Sequence, residues 1–437
     1  MEARSPARSP SSDVCGVGLL GLGTVGAAVA DLLVGRQEEI ALRAGVPIHL
    51  RRAAVAHPER PRAVALPDGV LVGDAHAVID DTAVDVVVEV MGGIEPARTH
   101  ILAALARGKA VVTANKQLMS TRGDELRAAA ASARVDLFFE GSVAGGIPVI
   151  KTIQEALAAN RIHQVMGIVN GTTNFILTRM SHEGIGFGEA LAAAQHLGYA
   201  EADPTEDIDG HDAAAKLAIL ASVAFNSRVS SADVYREGIS GVTPQIIAYA
   251  RDLGYVVKLL AIARHADGAI EARVHPALLP ASHPLAAVVD ELNAVLIEGD
   301  PVGLVVLEGR GAGGGPTASA VVGDLIDAAR NLGAGARGRL GFAASHRYPI
   351  REMSEVILSY CVSLEVADKP GVFARVAAAF GDEQVSIASI AQKSRGVTAD
   401  VVLVTHDAPE AAMMRVLARL RALDVVAAVH AILRIAA

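Results

Sequence analysis

The chain has 437 residues, of which 51% are hydrophobic and 20% charged, with a formal net charge of −9 at pH 7. That length leaves room for about three domains, and the acidic balance argues against nucleic acid or an anionic membrane surface as a partner. The two cysteines, Cys15 and Cys361, stand far apart without metal-type spacing; together with the lack of any bilayer-length apolar run, this points to a reducing cytoplasm, no disulfide framework and no membrane.

Residues 1–13, rich in Arg, Ser and Pro, read as a disordered tail. A charged tail ahead of an apolar run can imitate a signal peptide, but here the run passes into a glycine motif and reads as a first strand. Apolar runs of strand length at 17–20, 53–56, 86–90, 110–113 and 137–139 then alternate with helix-like stretches at 27–33, 97–106 and 124–131. This alternation predicts a buried, mostly parallel sheet. Residues 147–274 mix long helices with polar, glycine-marked loops, and 318–331 read as a helix behind the glycine-rich segment 309–316. Residues 332–352, rich in Gly, Arg and Ala, read as a linker across which few contacts are expected. Beyond it, strand patterns at 358–366, 385–390, 401–405 and near 429–435 enclose helices at 374–380 and 411–423, a βαββαβ order.

Gly21-Leu22-Gly23-Thr24-Val25-Gly26 follows the first strand and opens the first helix. A glycine-rich turn alone is weak evidence, but in this position it matches the dinucleotide-binding fingerprint. Its glycines let backbone N–H groups approach a pyrophosphate at a helix N-terminus. No acidic residue occurs before Glu59 near the expected end of the second strand; Arg51, Arg52, His57, Arg60 and Arg62 occur instead. Cations there suit the 2′-phosphate of NADP over NAD, or form a solvated turn.

Between Ala213 and Phe225, Lys216 is the only ionisable residue, and Asp212 lies one turn before it. A helix apolar on every face is a buried one, and buried lysines are rare unless paired. An i,i+4 ion pair is worth only about 0.2–0.5 kcal/mol and does not explain a lysine so placed. A buried lysine beside a carboxylate can instead donate a proton to a substrate. Upstream, residues 198–210 carry five carboxylates in a turn-rich loop. Such a loop is an exposed acidic turn, a divalent metal site or a receptor for a substrate ammonium; the last is favoured because it leads into the lysine helix.

These stretches resemble a known family. Gly198-Tyr-Ala-Glu-Ala-Asp-Pro followed by Asp207-Ile-Asp-Gly-x-Asp212-x-x-x-Lys216 is similar to the signature of homoserine dehydrogenases. Thr113-Ala-Asn-Lys116, Gly171-Thr-Thr-Asn174, the run from Glu140 to Pro148 and that from Gly311 to Thr317 extend the resemblance over roughly residues 14–331. It implies NAD(P)-dependent interconversion of L-homoserine and L-aspartate 4-semialdehyde, in threonine, methionine and isoleucine biosynthesis. Lys216 would transfer the proton at the substrate oxygen, and Lys116 would lie beside the cofactor and orient the reacting group. Glu201 and Asp212 would bind substrate with Asp207 close by, while Thr24, Val25, Gly92, Thr113 and Gly313 would join the glycine loop at the cofactor. A monovalent cation, usually sodium, would be held by Glu140 and the carbonyls of Val143, Gly145 and Ile147.

Residues 354–437, with their Asp368-Lys-Pro-Gly-Val-Phe373 turn, resemble an ACT domain, a module that binds amino acids. The family analogy implies L-threonine as feedback effector and a homodimer or homotetramer; the other reading is a module used only for oligomerisation. The expected architecture is a Rossmann domain from residues 14–146 plus about 310–331, an α+β catalytic and dimerisation domain from 147–309, a linker at 332–353, and a ferredoxin-like βαββαβ domain at 354–437. Two alternatives stand beside it, another two-domain Rossmann oxidoreductase of amino-acid metabolism and a non-catalytic nucleotide and amino-acid sensor. Neither calls for Glu201, Asp212 and Lys216 in this spacing.

Overall fold

The computed structural model describes residues 14–62, 64–338, 347–394 and 396–436. The expected tail at 1–13 and residues 339–346 of the expected linker lie outside the described residues. The chain divides into two compact units, one formed by Met1–Ala159, Ser222–Ser231 and Gly309–Arg347, the other by Asn160–Ala221, Ala232–Glu308 and Tyr348–Ala437.

In the first unit, β1 (Cys15–Leu20), α1 (Thr24–Gly35), α2 (Gln37–Ala44), β2 (Ile48–Ala54), β3 (Leu71–Val72), α3 (Ala75–Ile79), β4 (Val86–Glu89), α4 (Ala97–Ala106), β5 (Ala110–Thr113), α5 (Lys116–Ala133) and β6 (Leu137–Phe138) follow one another, ending in a short turn of helix, α6 (Val149–Lys151). The strands form a six-stranded parallel sheet in the order β3-β2-β1-β4-β5-β6, the doubly wound arrangement whose crevice lies at the carboxyl ends beside β1 and β4. Its central strands are fully buried, which is why they read as unbroken apolar runs.

The second strand departs from expectation. It starts at Ile48, so Arg51 and Arg52 lie within it and not at its end. Arg52 is tied to Asp81 at 3.2 Å and to the Gly69 carbonyl at 2.8 Å. Only His57, Arg60 and Arg62 follow the strand. The pattern misled because, after buried Ile48, β2 is half-exposed from His49 to Arg52 and is mostly polar there.

The second unit runs through β7 (Arg161–Ile168), α7 (Gly171–Glu183), α8 (Phe187–His196), α9 (Thr205–Ile208), α10 (His211–Ala224), β8 (Tyr235–Arg236), α11 (Pro244–Asp252), β9 (Tyr255–Ala266), β10 (Ala269–Pro280), β11 (Leu292–Asp300) and β12 (Gly303–Arg310). Helix α12 (Gly314–Gly333) belongs to the first unit, where Val321, Leu325 and Ala328 join Val17, Val29 and Val112 in one core. After it come β13 (Ile357–Ala367), α13 (Val372–Asp382), β14 (Ile387–Ser394), β15 (Thr398–Thr405), β16 (Ala408–Pro409), α14 (Glu410–Ala422) and β17 (Val426–Ile435). These give the expected βαββαβ order, packed around Tyr360, Phe380, Leu403 and Met413.

Two features of this unit correct the sequence reading. The stretch read as helices and loops also holds β7 and β9, long strands of the central sheet. The C-terminal module is also not set apart by a contact-poor linker. Its last strand adds in parallel to β10, Ala277 opposite Arg434 and Leu278 opposite Ile435, so one eleven-stranded sheet runs β12-β11-β7-β9-β10-β17-β13-β15-β14, with β8 beside β10 and β16 beside β13 off this path. Ala436 is buried in the same cluster as Met166, Leu260 and Leu285. Before β13, the Arg351 N–H donates to the Ile270 carbonyl at 2.8 Å and its guanidinium meets Glu271 at 3.0 Å. Gly- and Arg-rich composition reports local backbone freedom; it does not reveal whether the next edge strand completes a neighbouring sheet.

Candidate active site

Within the first unit, the glycine loop has a separate steric reason at each glycine. Gly21 has φ 99°, and a Cβ there would lie 2.9 Å from the Val90 carbonyl oxygen. A Cβ on Gly26 would come within 2.2 Å of the Gly21 oxygen, so this glycine lets α1 pack onto its own loop. A Cβ on Gly23 would meet no protein atom within 4 Å. The space over Gly23 is therefore open to a ligand, and α1 starts from Gly23 without a side-chain cap. The first N–H groups of a helix lack internal acceptors, and their positive end suits a pyrophosphate. Helix α12 begins likewise from uncapped Gly313, φ 111°, and a Cβ on Gly314 would lie 3.1 Å from Thr24. This donor set fits a dinucleotide.

At the ends of β4 and β5, Glu89 is fully buried and organises the neighbouring loop. One carboxylate oxygen accepts from the N–H groups of Met91 (2.8 Å) and Gly92 (3.3 Å), the other from the Thr113 hydroxyl at 2.7 Å. Burial pushes the Glu89 carboxyl up, and these donors oppose it. Asn115 donates to the Gly93 carbonyl at 2.6 Å and accepts from the Leu118 N–H, capping α5 so that Lys116 becomes its first residue. Gly92, Thr113 and Lys116 are thus fixed by one network. Its hub, Glu89, was missed in the sequence, where it reads as the polar end of an apolar strand.

Glu140 is buried, and desolvation pushes its carboxyl up to about 7. It accepts from the N–H groups of Ile150 (2.8 Å) and Lys151 (2.7 Å), while its own N–H donates to buried Asp324. Ala144 and Gly145, at φ 54° and 47°, turn the chain between Val143 and Ile147. The Glu140 carboxylate beside a tight turn of carbonyls is a hard-oxygen donor set that fits a monovalent cation. The Ile147 carbonyl already accepts from Val149 N–H at 2.8 Å, which leaves it one lone pair.

In the second unit, Lys216 is 7% exposed on α10, and its ammonium donates to Asp212 Oδ2 at 2.7 Å and to the Val169 carbonyl at 2.8 Å. The i,i+4 ion pair considered from sequence is present and buried. Asn170 joins the acids to this centre. Its Oδ1 caps α7 through Thr173 N–H at 2.9 Å, while its Nδ2 donates to Asp207 Oδ1 at 2.7 Å and Asp212 Oδ2 at 2.9 Å. Asp207, Asp212 and Lys216 are therefore brought together, with Asp212 engaged by both the lysine and the asparagine. Glu201 stands exposed between α8 and α9, its backbone carbonyl accepting from Gln195. Sequence reasoning missed Asn170; its available signal was an N-cap-type residue ahead of Gly-Thr-Thr. It also missed Lys258 on β9, a buried lysine donating to Asn174 at 2.9 Å and to the Val288 carbonyl, which burial pulls down to about 8.

Comparison with known proteins agrees along the chain. Family models described as homoserine dehydrogenase NAD-binding domain, homoserine dehydrogenase and ACT domain match residues 21–140, 148–326 and 362–422. The homoserine dehydrogenase of Corynebacterium glutamicum is 46% identical over 99% of this chain and 97% of its own. The crystal structure of a homoserine dehydrogenase from Thiobacillus denitrificans superposes with a TM-score of 0.91 at 44% identity, covering 97% of this chain and 98% of the other. A hyperthermophilic archaeal homoserine dehydrogenase in complex with NADPH covers 72% of this chain and 97% of its own, with a TM-score of 0.62 at 28% identity.

Proposed function

The chain belongs to the homoserine dehydrogenase family of oxidoreductases, and on that premise we propose that it interconverts L-homoserine and L-aspartate 4-semialdehyde, with NADP preferred over NAD. The observation that carries this reading is the buried ammonium of Lys216. An ammonium has three N–H donors; two are committed to Asp212 and the Val169 carbonyl. The third serves the substrate oxygen, giving up its proton as the aldehyde becomes an alcohol and recovering it in the reverse direction. Asp212 orients the lysine through their ion pair and adds negative charge toward the substrate. The second oxygen of Asp207 and the exposed carboxylate of Glu201 receive the substrate ammonium.

Gly21, Gly23 and Gly26 with Thr24, Val25, Gly92, Thr113 and Gly313 hold the dinucleotide, and Lys116 orients the reacting group. When bound, the dinucleotide supplies or accepts a hydride at nicotinamide C4. The NADP preference rests on Arg60 and Arg62 after β2 and on Glu59 being paired with His57 at 3.3 Å. Glu140 with the carbonyls of Val143, Gly145 and Ile147 holds a monovalent cation, sodium. The enzyme is a homo-oligomer, and L-threonine acts through the ACT domain. If threonine inhibits, it must bind one conformational state better than another.

One assay tests the core of this reading: homoserine oxidation followed at the reduced-nicotinamide absorbance with NADP and NAD separately. Lys216→Ala should lower kcat by about 10²–10⁴-fold, the scale of a lost general acid. A variant keeping more than half of the wild-type kcat sinks the assignment, and preference for NAD sinks the cationic-pocket argument. An enzyme indifferent to millimolar threonine loses the effector assignment alone.

A further inference from the structure

Arg434, on the last strand of the ACT module, is 6% exposed. It grips buried Glu410 of the same module through two hydrogen bonds, Nε at 2.9 Å and Nη2 at 2.6 Å. Glu410 also accepts from Tyr360 at 2.8 Å. The remaining Nη1 reaches out of the module to Glu237 at 2.7 Å, and the guanidinium lies over the Tyr235 ring, 5.4 Å from its centroid. A fork filled by one carboxylate on two sides and a second carboxylate on the third leaves the arginine a single orientation.

Glu237 lies in the short segment that carries β8. Its N–H donates to the Val274 carbonyl of β10 at 2.8 Å, which fixes the backbone on one side. On the other side the segment rests on the acidic turn. The Ile239 N–H donates to the Ile208 carbonyl at 2.9 Å. A Cβ on Gly238 would fall 2.4 Å from the same carbonyl oxygen and 2.8 Å from the Asp209 Cα. Gly210 is in turn wedged against Arg236 and Val274. The turn so clamped carries Asp207 and runs directly into Asp212 and Lys216, and Asn170 binds Asp207 and Asp212 together.

We infer that Arg434 and Glu237 form a positioning strap by which the ACT module holds the Asp207–Asp212 turn in its substrate-binding geometry. The ACT module is thus part of the support of the amino-acid site and not an appendage to it. The inference rests on the proposed reading of Asp207 as a receptor of the substrate ammonium and of Asp212 as the carboxylate that orients Lys216. Glu237 touches no substrate; it acts through residues 238–239 on 207–210.

The test uses the full-length chain with Glu237→Gln, which keeps the shape and one acceptor but removes the charge, and with Arg434→Lys, which keeps the charge but removes the fork. Glu237 is 41% exposed, so its replacement leaves the fold intact. Both variants should raise KM for homoserine about 5–20-fold while KM for the dinucleotide and kcat stay within about twofold. Asp407→Asn, a surface acid of the same module that accepts one hydrogen bond from Ser359, should change neither. Hydrogen exchange supplies an activity-free reading: the amides of Ile239 and of residues 210–214 should lose protection in Glu237→Gln. Unchanged homoserine KM overturns the strap, as does an equal rise in both KM values, which marks a general structural loss. If the wild-type chain oxidises no homoserine, the proposed reaction falls by itself, and retained exchange protection in Glu237→Gln then overturns the strap.

Discussion

Replacing Asn170 separates two duties that one side chain performs. Its Oδ1 caps α7, and its Nδ2 donates to Asp207 and Asp212. Asn170→Ala loses the cap, about 1 kcal/mol, and two hydrogen bonds to charged acceptors worth about 1.5–3 kcal/mol each. Asp207 is half-buried and regains water, but Asp212, 3% exposed, does not. The net loss should therefore be about 3 kcal/mol. Asn170→Asp keeps the cap, since Asp and Asn cap equally well, but sets a third carboxylate where the donor stood. A like-charge pair about 3 Å apart costs on the order of 5 kcal/mol at an effective dielectric of 20, and the site escapes it by taking up a proton. The folded protein then holds a proton that the unfolded chain releases, so the destabilisation grows as pH rises above the ordinary carboxylate range. Urea unfolding followed by far-ultraviolet circular dichroism at pH 5 and pH 8 reads this directly. Relative to wild type, the Asn170→Asp midpoint should be lower at pH 8 than at pH 5, and both variants should raise the homoserine KM. An Asn170→Asp protein as stable as wild type at pH 8 refutes the bridging role of Nδ2.

Three further outcomes are expected. Gly23→Ala should destabilise the fold by no more than about 1 kcal/mol, the scale of a changed N-cap, yet raise the dinucleotide Kd at least tenfold, because the new methyl meets only the open space above the loop; the chain has no Trp, so reduced-nicotinamide fluorescence reports binding against a low background, and an unchanged Kd places the pyrophosphate elsewhere. Lys258, pulled down to about 8 from 10.5, sheds its proton earlier in the folded than in the unfolded state, so this residue makes stability rise with pH between about 8 and 10.5, by about 3 kcal/mol at full extent; Lys258→Met should flatten that part of the urea-midpoint profile, and an unaltered profile rejects the buried-lysine account. A chain stopped after Arg351 should lose both solubility and homoserine oxidation, because β10 loses its neighbour β17 and Glu237 loses Arg434; a soluble, active truncation would show the module to be dispensable.

What the sequence disclosed followed from how each element is buried. β1, β4 and β5 are enclosed on both faces and appear as plain apolar runs, and β13 and β15 of the ACT domain are each buried over five successive residues, so the alternation read in residues 358–366 found the strand but not its full enclosure. β9 and β10 were illegible because they carry Lys258, Glu271, Arg273 and His275 into the interior, where charge interrupts the apolar pattern. Lys216 was legible for the opposite reason, as one charge in an otherwise apolar helix. Asn170 and Glu89 act through partners as far as 42 and 26 residues away in sequence, and no local pattern encodes such a pairing. The Arg434–Glu237 bond, spanning 197 residues, lies further still from anything spacing can show.

The parallel seam between β10 and β17 also sets a timetable for synthesis. β10 emerges from the ribosome about 150 residues ahead of its partner strand, an interval of about 8–30 s at cellular translation rates. Throughout that interval β7, β8, β9, β10 and β11 can pair among themselves, yet the edge of β10 at Ala277 and Leu278, past the part that β8 covers, stays unpaired and the core around Leu260 and Leu285 lacks Ala436. An unpaired edge of that kind recruits whatever strand it meets, so the nascent chain passes through a stage in which a chaperone, or a second ribosome on the same message, is its natural competitor. Pairing of long sequence separation is also slow to form. Strand β17 therefore closes the large sheet last, and the yield of folded protein should respond to translation speed and chaperone supply more than the isolated stability of either unit suggests.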